Sequence, residues 1–314
     1  TLQSDYPREL IEIIVVSDAS TDRTNKLVAQ YALEGVKLIV NKEQHGKTYG
    51  LNRAWKEAKG EILIFTDADA MFEGETLSLL VAKFADSNVG LVTGSTRYYT
   101  ANDAKNIVMA MGLYTRYERW IKKLETCLWA CVGADGAVFA MRRDLFQPLR
   151  EADINDFVLP LDVVRQGKRV IFHEKVFCLE EHTTDDADEF GRQVRMANRT
   201  IMALIHHRDL LNVCKFGLFS WMLFSHKVLR FLLPWITLLL ISLNLVLLFS
   251  NQIYQLTMTI IITVFCSYFL FKNTKNRFVS LFVGFITINL AYFAAWKKVF
   301  KKETIVVWGK DERL

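Results

Sequence analysis

An α/β domain followed by a membrane-seeking tail is the fold this sequence predicts, and three observations predict it. Apolar β-branched runs alternate with helix-patterned stretches from the start of the chain to about residue 210. One of those runs ends in two closely spaced acids, and long uncharged stretches dominate from Phe216 onward. Strands separated by amphipathic helices imply a mostly parallel sheet with helices on both faces. The organisation expected is a head domain over 1–210, an interfacial amphipathic helix over 211–230, and a transmembrane region with a basic end over 231–314.

The elements follow in order. Glu12 to Ser17 predicts a strand, and Ser20 is placed to cap a helix that carries Leu27, Val28 and Tyr31 and stops at Gly35. Val36 to Val40 predicts a second strand, and Gly46 opens a helix through Leu51, Ala54 and Trp55 to Gly60. Glu61 to Phe65 is a buried-strand run that leads directly into Thr66-Asp67-Ala68-Asp69-Ala70. A helix from about Glu75 to Phe84 and a strand from Gly90 to Thr93 continue the alternation. Residues 103 to about 126 read as a long helix, Ala137 to Met141 as a strand, and Glu151 to Gly167 as a helix carrying Leu161, Val164 and Arg165. The apolar segments of the tail lie at about 231–250, 253–271 and 278–296, each long enough to cross a bilayer.

Three stretches bear chemistry. Asp67 and Asp69 sit at the carboxyl end of a strand, the edge where open α/β sheets bind ligands. Paired carboxylates there suit Mg²⁺ or Mn²⁺, with water and phosphate oxygens completing the coordination; a solvated, Asp-rich turn is the plainer reading. Gly133 and Gly136 flank small residues around Asp135, a spacing that lets backbone approach a bulky ligand or simply makes a tight turn. Asp156 opens a helix, where a carboxylate serves either as a cap or as an acid-base group.

Composition narrows the class. The net charge of +5 is mild and much of the basic content flanks the apolar runs, which indicates membrane topology and no nucleic-acid footprint. The five cysteines form no C-x-x-C pair or metal-ligand spacing, so reduced thiols in a cytosol-facing head are expected. Lys227 and Arg230 then lie on the inner face, consistent with the positive-inside rule. A third full crossing would carry Lys297, Lys298, Lys301 and Lys302 outside, so the third apolar segment is expected to be re-entrant or interfacial.

Taken together, Val15 to Asp22, Gly46 to Asn52, Asp67-Ala68-Asp69, Gly133 to Ala137 with Arg142-Arg143, and Asn155-Asp156 resemble glycosyltransferase family 2. The resemblance covers residues 6 to about 205, and the tail is similar to that of membrane polysaccharide synthases. It implies a GT-A fold, an inverting transferase, a UDP-sugar donor, a divalent cation (Mg²⁺ or Mn²⁺), and a polysaccharide or lipid-linked acceptor at the bilayer. It also implies an inner-membrane protein with a cytoplasmic catalytic domain. By the same resemblance, Asp18 contacts the uracil end of the donor, Lys47 lies near the nucleotide, Asp67 faces the ribose or diphosphate, and Asp69 holds the metal. Gly133, Asp135 and Gly136 border the acceptor, and Asp156 is the general base with Asp153 as fallback. Arg192 and Arg195 clamp the pyrophosphate or form a basic face toward solvent or lipid.

Three departures accompany the resemblance. Asn155 replaces the first member of an acidic pair, and Arg192-Gln193-Val194-Arg195-Met196 departs from the Q-x-x-R-W of processive members, which bears on long-polymer synthesis. The family's first strand is expected to precede Thr1. Tyr98, Tyr99, Tyr114, Arg116 and Trp129 are either acceptor-stacking groups or ordinary packing, and Glu180, Glu181 and His182 follow a strand that borders the site. Two other readings stand beside the transferase: a nucleotidyltransferase releasing pyrophosphate, and a non-catalytic membrane scaffold.

Overall fold

A computed structural model describes residues 4–99, 113–181, 186–271 and 277–303. Among the described residues, contacts divide the chain into two compact units, one built from residues up to 181 and 205–223, the other from 186–204 and 224–303.

In the first unit, β1 (Ile13–Asp18) pairs in parallel with β2 (Val36–Asn41), and α1 (Thr24–Ala29) connects them. Four successive β-branched residues, Ile13 to Val16, make β1 a strand. Ser20 does not cap α1. Arg23 holds the cap position, and the Asp22 carboxylate accepts the Thr24 N–H at 2.9 Å instead.

After α2 (Lys47–Glu57) come β3 (Ile62–Phe65), β4 (Met71–Phe72), α3 (Thr76–Ala82), β5 (Val89–Tyr99), α4 (Leu113–Leu128), β6 (Phe139–Arg142), α5 (Asn155–Arg165) and β7 (Arg169–Glu181). Five of these strands form a second sheet in the order β3-β6-β5-β7-β4. The α/β architecture is the one expected, but the sheet is mixed and not mostly parallel. β6 runs antiparallel between β3 and β5, and β4 runs antiparallel to β7, which leaves β5–β7 as the parallel pair of this sheet. Strand-helix alternation suggests strands but not their direction: α4 lies between β5 and β6, yet the two pair antiparallel. Of the long helix expected over 103–126, α4 is the described part, and residues 103–112 lie outside the described residues.

β5 is longer than its sequence suggests, and Gly94 is the reason. The register against β7 shifts between Thr93 and Ser95, and a Cβ at Gly94 would lie 2.4 Å from the Val176 carbonyl oxygen. Only glycine lets the two backbones pass that closely. Leu80, Val92, Val138, Ala140, Val176 and Cys178 bury the core of this sheet against α3.

The second unit holds most of α6 (Asp186–His206), together with α9 (Leu229–Val246), α10 (Gln252–Phe271) and α11 (Arg277–Phe300). The separate interfacial helix expected over 211–230 is not seen. After α7 (Val213–Phe216) the chain breaks at Gly217 (φ 55°), and α8 (Leu218–Leu223) then continues through a π-helical turn into α9. Leu218–Val246 is thus one apolar helix of 29 residues, and it and Gln252–Leu270 are long and apolar enough to cross a membrane.

Candidate active site

The two acids of the Asp67-Ala68-Asp69 turn leave the end of β3, which an aromatic column holds in place. Phe65 stacks on Phe139 with ring centroids 4.5 Å apart, and Phe146 lies between Phe65 and Trp55 of α2. Burial of four aromatic rings fixes the strand end from which Asp67 and Asp69 project. Asp67 pairs with Lys47 at the first turn of α2, and Asp69 is exposed.

The rest of the Gly46–Asn52 segment acts as a set of bolts. Thr48 Oγ1 donates to the Asp153 carbonyl at 2.9 Å, and Asn52 exchanges two hydrogen bonds with the Leu149 backbone at 2.7 and 2.9 Å. Asp18, at the end of β1, accepts from the Asn41 side chain and from the His45 and Gly46 N–H groups at 2.6–3.1 Å. Burial works against this carboxylate's charge, but those hydrogen bonds hold its pKa below the usual carboxylate range. The next residue, Ala19, has φ 59°, a conformation that costs a non-glycine residue free energy, and this marks the loop as tightly determined.

Asp135 latches the glycine loop to β5. Its carboxylate accepts the Thr96 N–H at 2.8 Å and the Thr96 hydroxyl at 2.6 Å, while its own N–H donates to Thr93 Oγ1 at 2.8 Å. Both oxygens of Asp135, the residue expected to border the acceptor, hold the loop's shape.

Gly136 and Asp156 are brought together. A Cβ on Gly136 would sit 3.0 Å from Asp156 Oδ2, so glycine here leaves room for the carboxylate. The approach is reinforced from α5 itself. Pro160 has no N–H, so the Asp156 carbonyl lacks the donor that a helix supplies four residues on. The Ala134 N–H takes that place at 2.7 Å. Asn155 is buried, and its Nδ2 has no hydrogen-bond partner among the described residues.

Asp153, expected as the fallback base, is held within the fold. It is 4% exposed, and Arg150 binds it through its backbone N–H, Nε and a terminal nitrogen at 2.9–3.3 Å. Its work is to fold the turn that leads into α5.

A further acid joins the site from β7. Glu180 is pushed up to about 7, first by burial and then by the carboxylates of Asp69, Asp135 and Asp67, with Lys47 opposing. Glu180 and Glu181 are the last residues of β7 and do not follow it; His182 lies outside the described residues. Thr96 and Cys178 meet across β5 and β7 at 3.6 Å, and the two-residue period of a strand puts Glu180 on the same face as Cys178. Sequence reasoning gave Glu180 no defined part, because its relation to Asp69 spans more than a hundred residues. The same holds for Thr48, Thr93, Thr96 and Pro160.

Beyond the site, α5 carries a charge network in which Asp162 and His207 are buried and Arg165 and Asp209 reach the surface. Arg165 donates to Asp162 at 2.8 Å, to His207 Nδ1 at 2.8 Å, and to Asp209 at 2.9 and 3.1 Å. Burial raises Asp162 to about 6, and burial together with the Arg165 charge lowers His207 to about 4. A neutral ring whose Nδ1 accepts from a guanidinium carries its proton on Nε2.

Arg192 and Arg195 lie on α6 in the second unit. Of the aromatic candidates, Trp129 packs edge-on against Phe219 and Tyr98 is exposed.

Residues 2–149 match the family model described as Glycosyl transferase family 2. Over 188 residues the chain is 27% identical to Probable glycosyltransferase YdaM of Bacillus subtilis (strain 168), covering 56% of this chain and 44% of that protein. Over 106 residues it is 33% identical to Beta-monoglucosyldiacylglycerol synthase of Nostoc sp. (strain PCC 7120 / SAG 25.82 / UTEX 2576), covering 32% of this chain and 22% of that one. Mannosyltransferase PcManGT from Pyrobaculum calidifontis, solved in complex with GDP-Man and Mn2+, shares the fold with a TM-score of 0.70 at 23% identity, over 96% of this chain and 81% of that one. The chain spans less than half the length of the curated relatives it matches.

Proposed function

From its membership of glycosyl transferase family 2, which residues 2–149 carry, we propose that the protein is a membrane-bound inverting glycosyltransferase. It moves a sugar from a UDP-sugar to a polysaccharide or lipid-linked acceptor, with its catalytic domain in the cytoplasm. The observation that carries this reading is a cluster of acids: Asp69, Asp135 and Asp67 all act on the half-buried Glu180, Lys47 pairs with Asp67, and Gly136, next to Asp135, leaves room for the half-buried carboxylate of Asp156.

The residues fit a divalent cation. Burial first, and then the carboxylates of Asp69, Asp135 and Asp67, raise Glu180 to about 7; the second contribution is negative charge that a hard cation would neutralise. Among the described residues no group of three or more His, Cys, Asp or Glu side chains forms a ready metal cage. Asp69 would then hold the ion, with donor phosphate and water filling most positions. Bound there, the cation stabilises the charge that develops on the departing diphosphate. Asp156 takes the proton from the acceptor hydroxyl as the new bond forms on the opposite face of the sugar. Lys47 and Asp67 orient the nucleotide diphosphate, and Asp18 shapes the loop against which the uracil end rests.

The test is release of UDP by membranes containing the full-length protein, supplied in turn with several UDP-sugars, with and without Mn²⁺ or Mg²⁺. Metal-dependent release with one donor is expected, and its loss in Asp156→Asn and Asp69→Asn by two or more orders of magnitude. Normal transfer by either variant would overturn the mechanism. Release of pyrophosphate from a nucleoside triphosphate would identify a nucleotidyltransferase instead.

A further inference from the structure

The third apolar helix, α11, ends where the first membrane helix begins. Arg230 Nε donates to the Tyr292 hydroxyl at 2.8 Å, and Trp296 Nε1 donates to the Phe231 carbonyl at 2.8 Å. The Trp235 ring packs on Phe293, Trp296 and Phe300. The last turns of α11 are therefore level with the first turns of α9.

The start of α11 is confined to the same end. α9 and α10 form an antiparallel hairpin, joined by residues 247–251 and tied across the turn by Asn244 and Thr257. That returns the end of α10 to the level at which α9 begins. From Phe271 to Arg277 there are six Cα steps, a reach of about 21 Å at full extension. Had α11 crossed the bilayer beside α9, with residues 292–296 at this end, Arg277 would lie about 25 Å farther along the membrane normal. The link cannot reach that far and also step sideways between helices.

Both ends of α11 thus lie at one end of the hairpin. We infer that α11 is not a third span but an interfacial helix resting on the headgroup layer of an anionic membrane, on the face from which α9 enters. The inference rests on the reading of α9 and α10 as membrane spans. The chemistry of the helix suits that surface. Phe285, Leu290 and Phe300 are exposed, while Lys297, Lys298, Lys301 and Lys302 crowd its end. Trp235 and Trp296 are the aromatic residues that favour the membrane-water boundary. Lys297, Lys298, Lys301 and Glu303 border a hollow of about 480 Å³, and Lys298 pairs with Glu303 at 3.7 Å, which leaves the lining net positive. The basic end therefore stays on the same side as Lys227 and Arg230, and the conflict with the positive-inside rule disappears.

The test is single-cysteine labelling with a membrane-impermeant maleimide in inside-out and right-side-out vesicles. The background is the full chain carrying Cys127→Ser, Cys214→Ser and Cys266→Ser, the three exposed cysteines. Three probes are compared: Cys127 restored as the head marker, Ser250→Cys in the hairpin turn, and Glu303→Cys beyond α11. Glu303→Cys is expected to label from the same side as Cys127, and Ser250→Cys from the opposite side. Labelling of Glu303→Cys from the side opposite Cys127 would overturn the inference alone. Labelling of Ser250→Cys from the Cys127 side would overturn the membrane-span reading, and the inference with it.

Discussion

At the scale of single residues, the most informative pair is one the chemistry does not use. Asp162 and His207 are both buried and face the same Arg165, with Asp153, Arg150, Asp209 and His206 around them. Asp162 has its pKa raised to about 6, so its stabilising share is present below about pH 4 and is lost as pH rises toward 6. His207 has its pKa lowered to about 4, so its share is present above about 6.5 and is lost as pH falls toward 4. Each shift of roughly two units is worth on the order of 3 kcal/mol, and between pH 4 and 6 the two slopes oppose each other. The thermal midpoint of the intact protein in detergent should therefore be nearly flat across that window. Asp162→Asn should make it fall on acidification from 6.5 to 4, and His207→Gln should make it fall on raising the pH from 4 to 6. Flat profiles in both variants would show that neither group titrates as assigned.

Elements show what a sequence can and cannot announce. β1, β2, α2 and β3 were legible because each is a local pattern, a β-branched run or a capped periodic stretch. Asp67 and Asp69 were legible for the same reason, as acids following an apolar run. The antiparallel pairing of β6 and the full length of β5 were not, since both depend on a partner far away in the chain. α5 was read as a helix with a capping acid, but the meaning of Pro160 emerges only with Ala134 opposite Asp156. That arrangement makes an unusual prediction. Pro160→Ala restores a helical donor that competes for the Asp156 carbonyl, and it removes a residue that costs about 3 kcal/mol inside a helix. The variant should be as thermostable as the parent or more so, yet, on the proposed role of Asp156 as the base, turn over at least about tenfold more slowly, because the glycine loop loses its hold on Asp156. Unchanged turnover would mean that the loop is positioned by Asp135 alone.

Across the whole molecule, composition located the tail correctly as the apolar part, yet it did not reveal which helices run on without a break. Leu218–Val246 fuses two segments that the charge pattern separates, because Lys227 and Arg230 do not interrupt the backbone hydrogen bonding of a helix. The head likewise holds two sheets where one was expected. Lys47 belongs to the helix packed on β1, and Asp67 to the turn that leaves the other sheet, so their ion pair bridges the two. The lysine is thus a counter-ion already built into the chain. If the proposed donor site is right, an arriving diphosphate would not capture a free cation from the protein but would exchange one anionic partner of Lys47 for another. Dissolved salt weakens the bond being broken and the bond being made alike. Donor affinity plotted against ionic strength should accordingly be shallow, and Asp67→Asn, which leaves Lys47 without that partner, should make it steep.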